Sequence, residues 1–424
     1  GLDKVRAADT LEVPRFNPVS LKGEVTQDAR TLNGRLYVSP HNPAVLTRAP
    51  SPIATIDLVS DVRTGVGRAD INTTNLSFTP EGLQPLDLTP AVAGVATRDV
   101  TGSLDFKGHF GWHKDGGDSG GVLTLNGIDF DGPLGQANGL RGEIHFTSLA
   151  PLASDAGQSV RVDRFVTLVP LTNIDSRLQF FADYVSLEQA DITTPGGQIQ
   201  LEPMDVPFDQ TKGFKGAMRF EKLDFGQVLA ATDMGRDMSF QGTVSGRVPF
   251  ALTSTGTFSF DKGQLKGDGP GRVSVRRTAL QGSAEGSATA TPESGNLPVQ
   301  AVQGSAIENM AYQALENLAY QNLEASISTL DNGRLGFNFR ITGKYDPPEK
   351  KEARIGIIDY IKGTWANKPI DLPSGTGVDL HLGMTLNLDQ LLEDLADFDR
   401  LKSGQTANTK PSAPVTSTPD TSQN

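Results

Sequence analysis

Apolar and polar residues alternate along most of this chain, which places successive side chains on opposite faces of a strand. The clearest run is Leu335, Phe337, Phe339 and Ile341, alternating with Gly336, Asn338, Arg340 and Thr342. Leu104, Phe106, Phe110 and Trp112 share one parity, as do Ile144 and Phe146 after Gly142, and Leu178 and Phe180 ahead of Tyr184. The same spacing returns at Val244, Val248, Phe250 and Leu252, then at Phe258 and Phe260. Between these runs lie Asp115-Gly116-Gly117-Asp118, Asp131-Gly132-Pro133, Asp261-Lys262-Gly263 and Asp331-Asn332-Gly333, clusters that supply the positive φ angles of tight connections. The pattern predicts roughly 20 consecutive antiparallel strands, and at about 4.8 Å per strand a single stack would extend on the order of 100 Å.

Helical spacing is rare. Ile307, Met310, Ala311, Ala314 and Leu315 suggest one short helix, and Asp224 to Ala231 suggests another. Near the C-terminus Leu388, Leu391, Leu392, Leu395 and Phe398 form one apolar stripe, with Asn387 and Gln390 as a capping box. The predicted class is therefore mainly β, an elongated antiparallel sheet with a few short helices including a C-terminal capping helix. The organisation expected is a β segment over residues 1–282, a flexible low-complexity excursion over 283–300, a C-terminal β segment with the capping helix over 301–402, and a disordered tail over 403–424. So few helices cannot cover so many strands. Either two sheets face each other, or one curled sheet leaves its apolar interior to something else.

Composition sharpens this picture. The 424 residues include 46 Gly and 26 Pro, a turn-rich mixture suited to many short strands. A formal net charge of -12 argues against nucleic acid as a partner, because counterion release needs clustered Lys and Arg. With no cysteine, thiol nucleophiles, thiolate metal ligands and disulfides are excluded, and the redox compartment cannot be read. No run of 18 or more apolar residues is present, and Gly1 opens no signal-peptide pattern, so a fragment or processed chain is expected, with any membrane anchor upstream.

Several motifs resemble chemistry and dissolve on inspection. Gly117-Asp118-Ser119-Gly120-Gly121 matches the nucleophile segment of chymotrypsin-like proteases, yet His41 and Asp57 leave too little chain for the barrels such enzymes need. A hairpin loop is the reading favoured there. His109 and His113 have helical zinc spacing, but on a strand they stand roughly 13 Å apart, so no metal site is expected. Gly267-Asp268-Gly269-Pro270-Gly271-Arg272 lacks the Lys-Ser/Thr ending of a phosphate loop, and Pro270 removes a donor. Asp129 and Asp131 flank Phe130 as solvated edge acids. No catalytic constellation and no cofactor are expected.

The order of weaker motifs is more telling. Gly242-Thr243-Val244-Ser245-Gly246-Arg247-Val248-Pro249-Phe250, then Phe258-Ser259-Phe260-Asp261-Lys262-Gly263-Gln264-Leu265 and Gly269-Pro270-Gly271, resemble the C-terminal region of YdbH-type proteins. Gly139-Leu140-Arg141-Gly142-Glu143-Ile144-His145-Phe146 and Thr194-Pro195-Gly196-Gly197-Gln198-Ile199 are similar to segments of the same family. Ala314-Leu315-Glu316-Asn317-Leu318-Ala319-Tyr320, Gly333-Arg334-Leu335 and Ile341-Thr342-Gly343 resemble the shared ending of AsmA-like proteins, which include the TamB type. Where relatives often carry Gly-x-Asn-Pro, this chain has Gly343-Lys344-Tyr345-Asp346-Pro347.

The resemblance implies a periplasmic β-taco of a Gram-negative bacterium, open along one side and held to the inner membrane by an upstream helix. It implies a non-catalytic conduit for phospholipids between the inner and outer membranes, meeting a small outer-membrane lipoprotein near its C-terminal end. An older label for the region, dicarboxylate transport, finds no cluster of cationic ligands here. On this reading phospholipid acyl chains lie against Leu104, Phe106, Phe110, Ile144, Phe146, Leu178, Phe180, Val248, Phe250, Phe258, Phe260, Leu335, Phe337, Phe339 and Ile341. The rival reading is an envelope assembly factor that templates outer-membrane proteins by pairing along a strand edge. A third, a carbohydrate-active β-solenoid, predicts convergent acids.

Overall fold

The computed structural model describes residues 2–7, 16–92, 98–132, 135–166, 171–230, 233–254, 257–276, 287–293, 313–330, 333–349 and 372–386. They form one open antiparallel sheet of 24 strands. β1 (Leu2–Ala7), β2 (Val19–Gln27), β3 (Thr31–Pro40), β4 (Ala54–Asp61), β5 (Gly67–Phe78), β6 (Arg98–His113), β7 (Gly116–Gly132) and β8 (Gly135–Leu149) each pair with the next. β9 (Leu152–Ser154) folds back on the end of β8, while β10 (Gln158–Val166) continues from β8 to β11 (Leu171–Phe180) and β12 (Tyr184–Thr194).

The second half of the sheet branches. β13 (Gly197–Leu201) and β14 (Met204–Pro207) share the flank of β12, and β13 leads on to β15 (Phe214–Asp224). Past β16 (Met238–Gln241), β15 pairs with β17 (Thr243–Leu252), whose far flank is divided between β18 (Phe258–Phe260) and β19 (Gly263–Gly267). β20 (Gly271–Val275) and β21 (Ser287–Glu293) precede β22 (Leu318–Thr329), β23 (Leu335–Tyr345) and β24 (Gly377–Leu386). β22 takes β19 along one half and β20 along the other, and β23, β24 and β21 follow it in pairing order. β16 pairs with β20, so a two-stranded branch leaves the main sheet at β22.

Bulges bend this surface, and each of the following has its extra amide satisfied by a side chain from a neighbouring strand. The ladder between β5 and β6 slips between Thr73 and Leu76, where Asn75 has φ 49 and its amide donates to Asp105 at 2.7 Å. Between β15 and β17 the slip falls between Phe220 and Leu223, where Lys222 has φ 50 and its amide donates to Ser245 Oγ at 2.9 Å. The amide of Gly139, beside the irregular β7–β8 pairing, donates to Asp129 at 2.6 Å.

Antiparallel strands reverse direction at each step, so alternate connections emerge from the same rim. On one rim the connections are mostly tight, as at Lys114–Asp115 and Ala150–Pro151, whereas Asp261–Lys262, expected to be a turn, is a bulge in mid-sheet where β18 passes into β19 along β17. The other rim carries α1 (Pro43–Leu46) after β3, α2 (Pro85–Leu88) after β5, α3 (Phe225–Ala230) after β15, and a helical turn over residues 313–316 before β22. These fold over one face and build two cores. Near β2–β7, Val45, Leu83, Phe78 and Val100 pack together; near β17–β24, Leu229, Phe240, Leu315, Tyr320 and Ile341 do.

Three further expectations change. Ser287–Glu293, inside the span expected to be a flexible excursion, is a strand paired with β24, since alternating Ser, Ala and Thr suits a ladder even without apolar anchors. Gly117–Gly121 already lies within β7, because the turn closes two residues earlier, at Lys114–Asp115. The helices α1 and α2 were not anticipated. The capping helix around Leu388, the residues Ile307 to Ala311 and the 403–424 tail lie outside the described residues.

Candidate functional site

Residues directly opposite each other in an antiparallel pair point to the same side of the sheet. One row runs Leu76, Leu104, Leu125, Gly142, Val160, Ser176, Ala190, Leu201, Met218 and Val248, each facing the next. Beside it, Phe106 faces Leu123 and Leu123 faces Ile144; Phe146 lies opposite Gly121, and Phe110 opposite Ser119. Leu178 and Phe180 lie opposite Leu187 and Val185. From β17 the face continues through Gly246, Leu265, Ala325 and Phe339, with Phe260 opposite Phe250, Phe258 opposite Leu252, and Phe337, Leu335 and Ile341 flanking Phe339 on β23. Register thus puts every residue named above as an acyl-chain contact on one continuous face, while Tyr184, next to the inward Val185, points the other way.

Their surroundings differ. Ile144, Val248, Phe250, Leu335 and Ile341 are buried, whereas Phe106, Phe110, Phe146, Leu178, Phe180, Phe258, Phe260 and Phe337 are half-buried. Leu104 packs against the first core, and Ile341 and Phe339 belong with the second. Between the two cores lie β8 and β10–β14, whereas the described helices pack chiefly elsewhere, α3 against β16 and β17 and α1 against β3. Apolar side chains there, such as Val162, Ile174 and Leu178, keep part of their surface open.

Glycines shape the floor. A Cβ at Gly108 would come within 2.6 Å of the Phe106 ring, and one at Gly121 within 3.1 Å of it, so that ring lies flat across the two strands. Phe250 lies likewise over Gly216. Aromatic pairs extend the lining: Phe146 and Phe180 meet edge to face at 5.4 Å, and Phe250, Phe258 and Phe260 follow one another at 5.4 and 5.0 Å.

The opposite face is polar and charge-balanced. A concavity of ≈ 780 Å³ there includes Arg219, Arg247, Lys266, Arg340 and His381. Glu202 bridges Arg219 at 3.3 Å and Arg247 at 2.8 Å, and Asp379 meets Arg340 at 3.3 Å. Hydrogen bonds from Arg247 and then Arg219 hold the Glu202 carboxyl below its usual range.

The chemistry-like motifs are dispersed. Ser119 Oγ accepts from the Leu149 amide at 3.0 Å, His41 Nδ1 lies 2.9 Å from Ser20 Oγ, and Asp57 accepts from Arg35 at 2.6 Å, so no triad assembles from them. His109 lies 3.2 Å from Asp118, and among the described residues no cluster of three His, Asp or Glu could hold a metal ion. No helix among the described residues is long and apolar enough to cross a membrane.

α1 and α2, which bound the trough at one end, escaped the sequence reading because four residues are too few for a periodic signal. Asn42-Pro43 was the available cue, since Asn42 caps the Ala44 amide and Pro43 occupies the first turn.

A family model described as YdbH-like, intermembrane phospholipid transport protein YdbH, matches residues 3–291. The match ends before β22, so Leu335 to Ile341 lie outside it and join it through the pairing of β19 with β22. No curated protein and no solved structure matches the chain.

Proposed function

We propose, since this chain belongs to the YdbH-like family of intermembrane phospholipid transport proteins, that its inward face is a conduit wall along which acyl chains travel without any bond being made or broken. Each methylene removed from water is worth about 0.8 kcal/mol, so keeping a chain of about sixteen carbons off the sheet would cost on the order of 12 kcal/mol. A continuous apolar floor removes most of that barrier. The headgroup stays at the open seam between the rims.

The observation that supports this reading most directly is the continuous inward face from β5 to β23, kept across the bulges, with half-buried apolar residues in the middle stretch. The chain would act as the periplasmic portion of a longer protein anchored in the inner membrane. Its C-terminal end would meet a small outer-membrane lipoprotein, as the resemblance implies.

Neighbouring residues provide the test. A photocrosslinking amino acid at Leu178, on the inward face, should label phospholipid in cells or in vesicle mixtures, whereas one at Arg177, facing the other way, should not. Equal labelling from both positions, or none from Leu178, would remove the proposal.

A further inference from the structure

At its C-terminal end the trough passes beneath a second layer of the chain's own making. α3 and β16, with the β20 branch and the helical turn at 313–316, lie over the inward faces of β17, β22 and β23. That layer does not settle fully onto the sheet. It leaves a cavity of ≈ 160 Å³, whose lining among the described residues includes one polar residue, Ser239. The deep end is shut by Leu315 and Val275, 0% and 2% exposed. The other end is formed by Ile327 and Phe337, which are half-buried, face each other on β22 and β23, and continue the inward face beside Phe260.

A void of about this size walled by aliphatic and aromatic carbon stays free of water and accepts a guest of about six carbons, as benzene does in an engineered cavity. A phospholipid offers one portion that is wholly without polar atoms, the methyl end of a tail. We infer that this cavity is a blind subsite for the terminal carbons of one acyl chain, and that its depth sets the chain length the trough holds most tightly. The inference rests on the conduit reading above. Each methylene that enters raises affinity about fourfold until the tail meets Leu315 and Val275, after which added carbons overpack the site.

The experiment uses the whole chain and two 16-carbon lysophosphatidylcholines, one with a diazirine at the acyl terminus and one with it at carbon 2. After illumination, the terminal probe is expected to mark peptides of α3–β16 and β23, and the carbon-2 probe to mark β8–β14. Ala325→Leu, which pushes a longer side chain into the void from β22, should drive the terminal label out. It should also weaken the 16-carbon probe at least tenfold more than a 12-carbon one. A terminal label confined to β8–β14 in the unsubstituted chain would overturn the subsite and leave the conduit standing; absence of label from the whole inward face would overturn both. Should Ala325→Leu melt the fold, the label pattern of the unsubstituted chain still decides.

Discussion

The side-chain amide of Gln84 pairs with the backbone of Val100 as a neighbouring strand would, accepting from its amide at 2.9 Å and donating to its carbonyl at 3.0 Å. β5 ends at Phe78, opposite Gly102, so among the described residues no strand lies beside that edge of β6 beyond this point. Gln84 fills the vacancy and fastens the α2 segment over the trough. Its own amide donates to Asp87, which in turn holds Arg48 at 2.6 Å, linking α1, α2 and β6 in one chain of contacts. Gln84→Ala is expected to leave the Val100 groups unpaired next to a buried core and to cost about 1–3 kcal/mol. Hydrogen exchange at the Val100 amide should accelerate, while amides of the distant second core, such as that of Leu323, keep their protection.

Glu202 gives the outer face a pH dependence of definite sign. Its folded carboxyl lies below the ordinary 4.5, so the stability it contributes is complete above that value and is lost as pH falls through the lower folded one. Both arginines are about half exposed, so the effect is small and sensitive to salt. Glu202→Gln should lower the urea midpoint slightly at pH 7 and by progressively less as the pH falls below 4.5; an equal loss throughout would show that the ion pairs contribute nothing.

Lys262 occupies the left-handed region, with φ 49, in the bulge between Phe260 and Gly263 where β18 passes into β19. That conformation costs a residue with a Cβ roughly 1–2 kcal/mol, and glycine gives back about 0.5–1 kcal/mol of that through its extra freedom when unfolded. Lys262→Gly is therefore expected to stabilise the fold by up to about 1 kcal/mol. Lys262→Pro, locked near φ -65°, should disrupt the bulge that keeps both β18 and β19 paired with β17. Thermal midpoints of the two variants moving in opposite directions would check this.

How much could be read in advance differs from place to place for physical reasons. The faces of β6, β8, β11, β17 and β23 were legible because Phe337 and Phe339, or Leu104 and Phe106, alternate within a single strand, and alternation is local. The slips at Asn75 and Lys222 were not, because a bulge is fixed by what its neighbour offers, here Asp105 and Ser245, and those lie 30 and 23 residues away. β21 was read as loose chain because its ladder partner, Gly377–Leu386, is remote and its own residues bring no apolar signal. The lids are the same case: nothing in Phe225 or Leu229 alone says that the helix they form will roof β17.

Tyr320 is the keystone of the second core, 1% exposed, and glycines leave room for it. A Cβ at Gly242, where φ is 142, would meet its hydroxyl, and one at Gly271 would meet the Gln241 carbonyl and then the same hydroxyl. Among the described residues the hydroxyl makes one long contact of 3.4 Å, to the Gln241 carbonyl, and burial pushes the phenol's pKa up. Room matters here more than the hydrogen bond. Gly271→Ala should destabilise by about 1–3 kcal/mol through overpacking, whereas Tyr320→Phe should cost less than about 1 kcal/mol. Chemical denaturation of the two variants separates shape from polarity.

A carboxylate introduced on the inward face should act differently according to what already covers the position. At Phe250, 8% exposed, Asp would leave a cavity and a charge with no partner, and the loss of the ring alone is worth about 3–5 kcal/mol, enough to threaten the fold. At Phe180, half-buried and touching Phe146 at 5.4 Å, the charge can turn toward the open seam, so Phe180→Asp should shift the thermal midpoint by only a few degrees. If acyl chains lie on this floor, Phe180→Asp should nonetheless sharply reduce the phospholipid that copurifies with the chain, as read by native mass spectrometry. Asp placed at Arg177, on the other face of the same strand, should reduce neither. A folded Phe180→Asp that retains its full lipid load would mean that the middle of the trough is not where lipid travels.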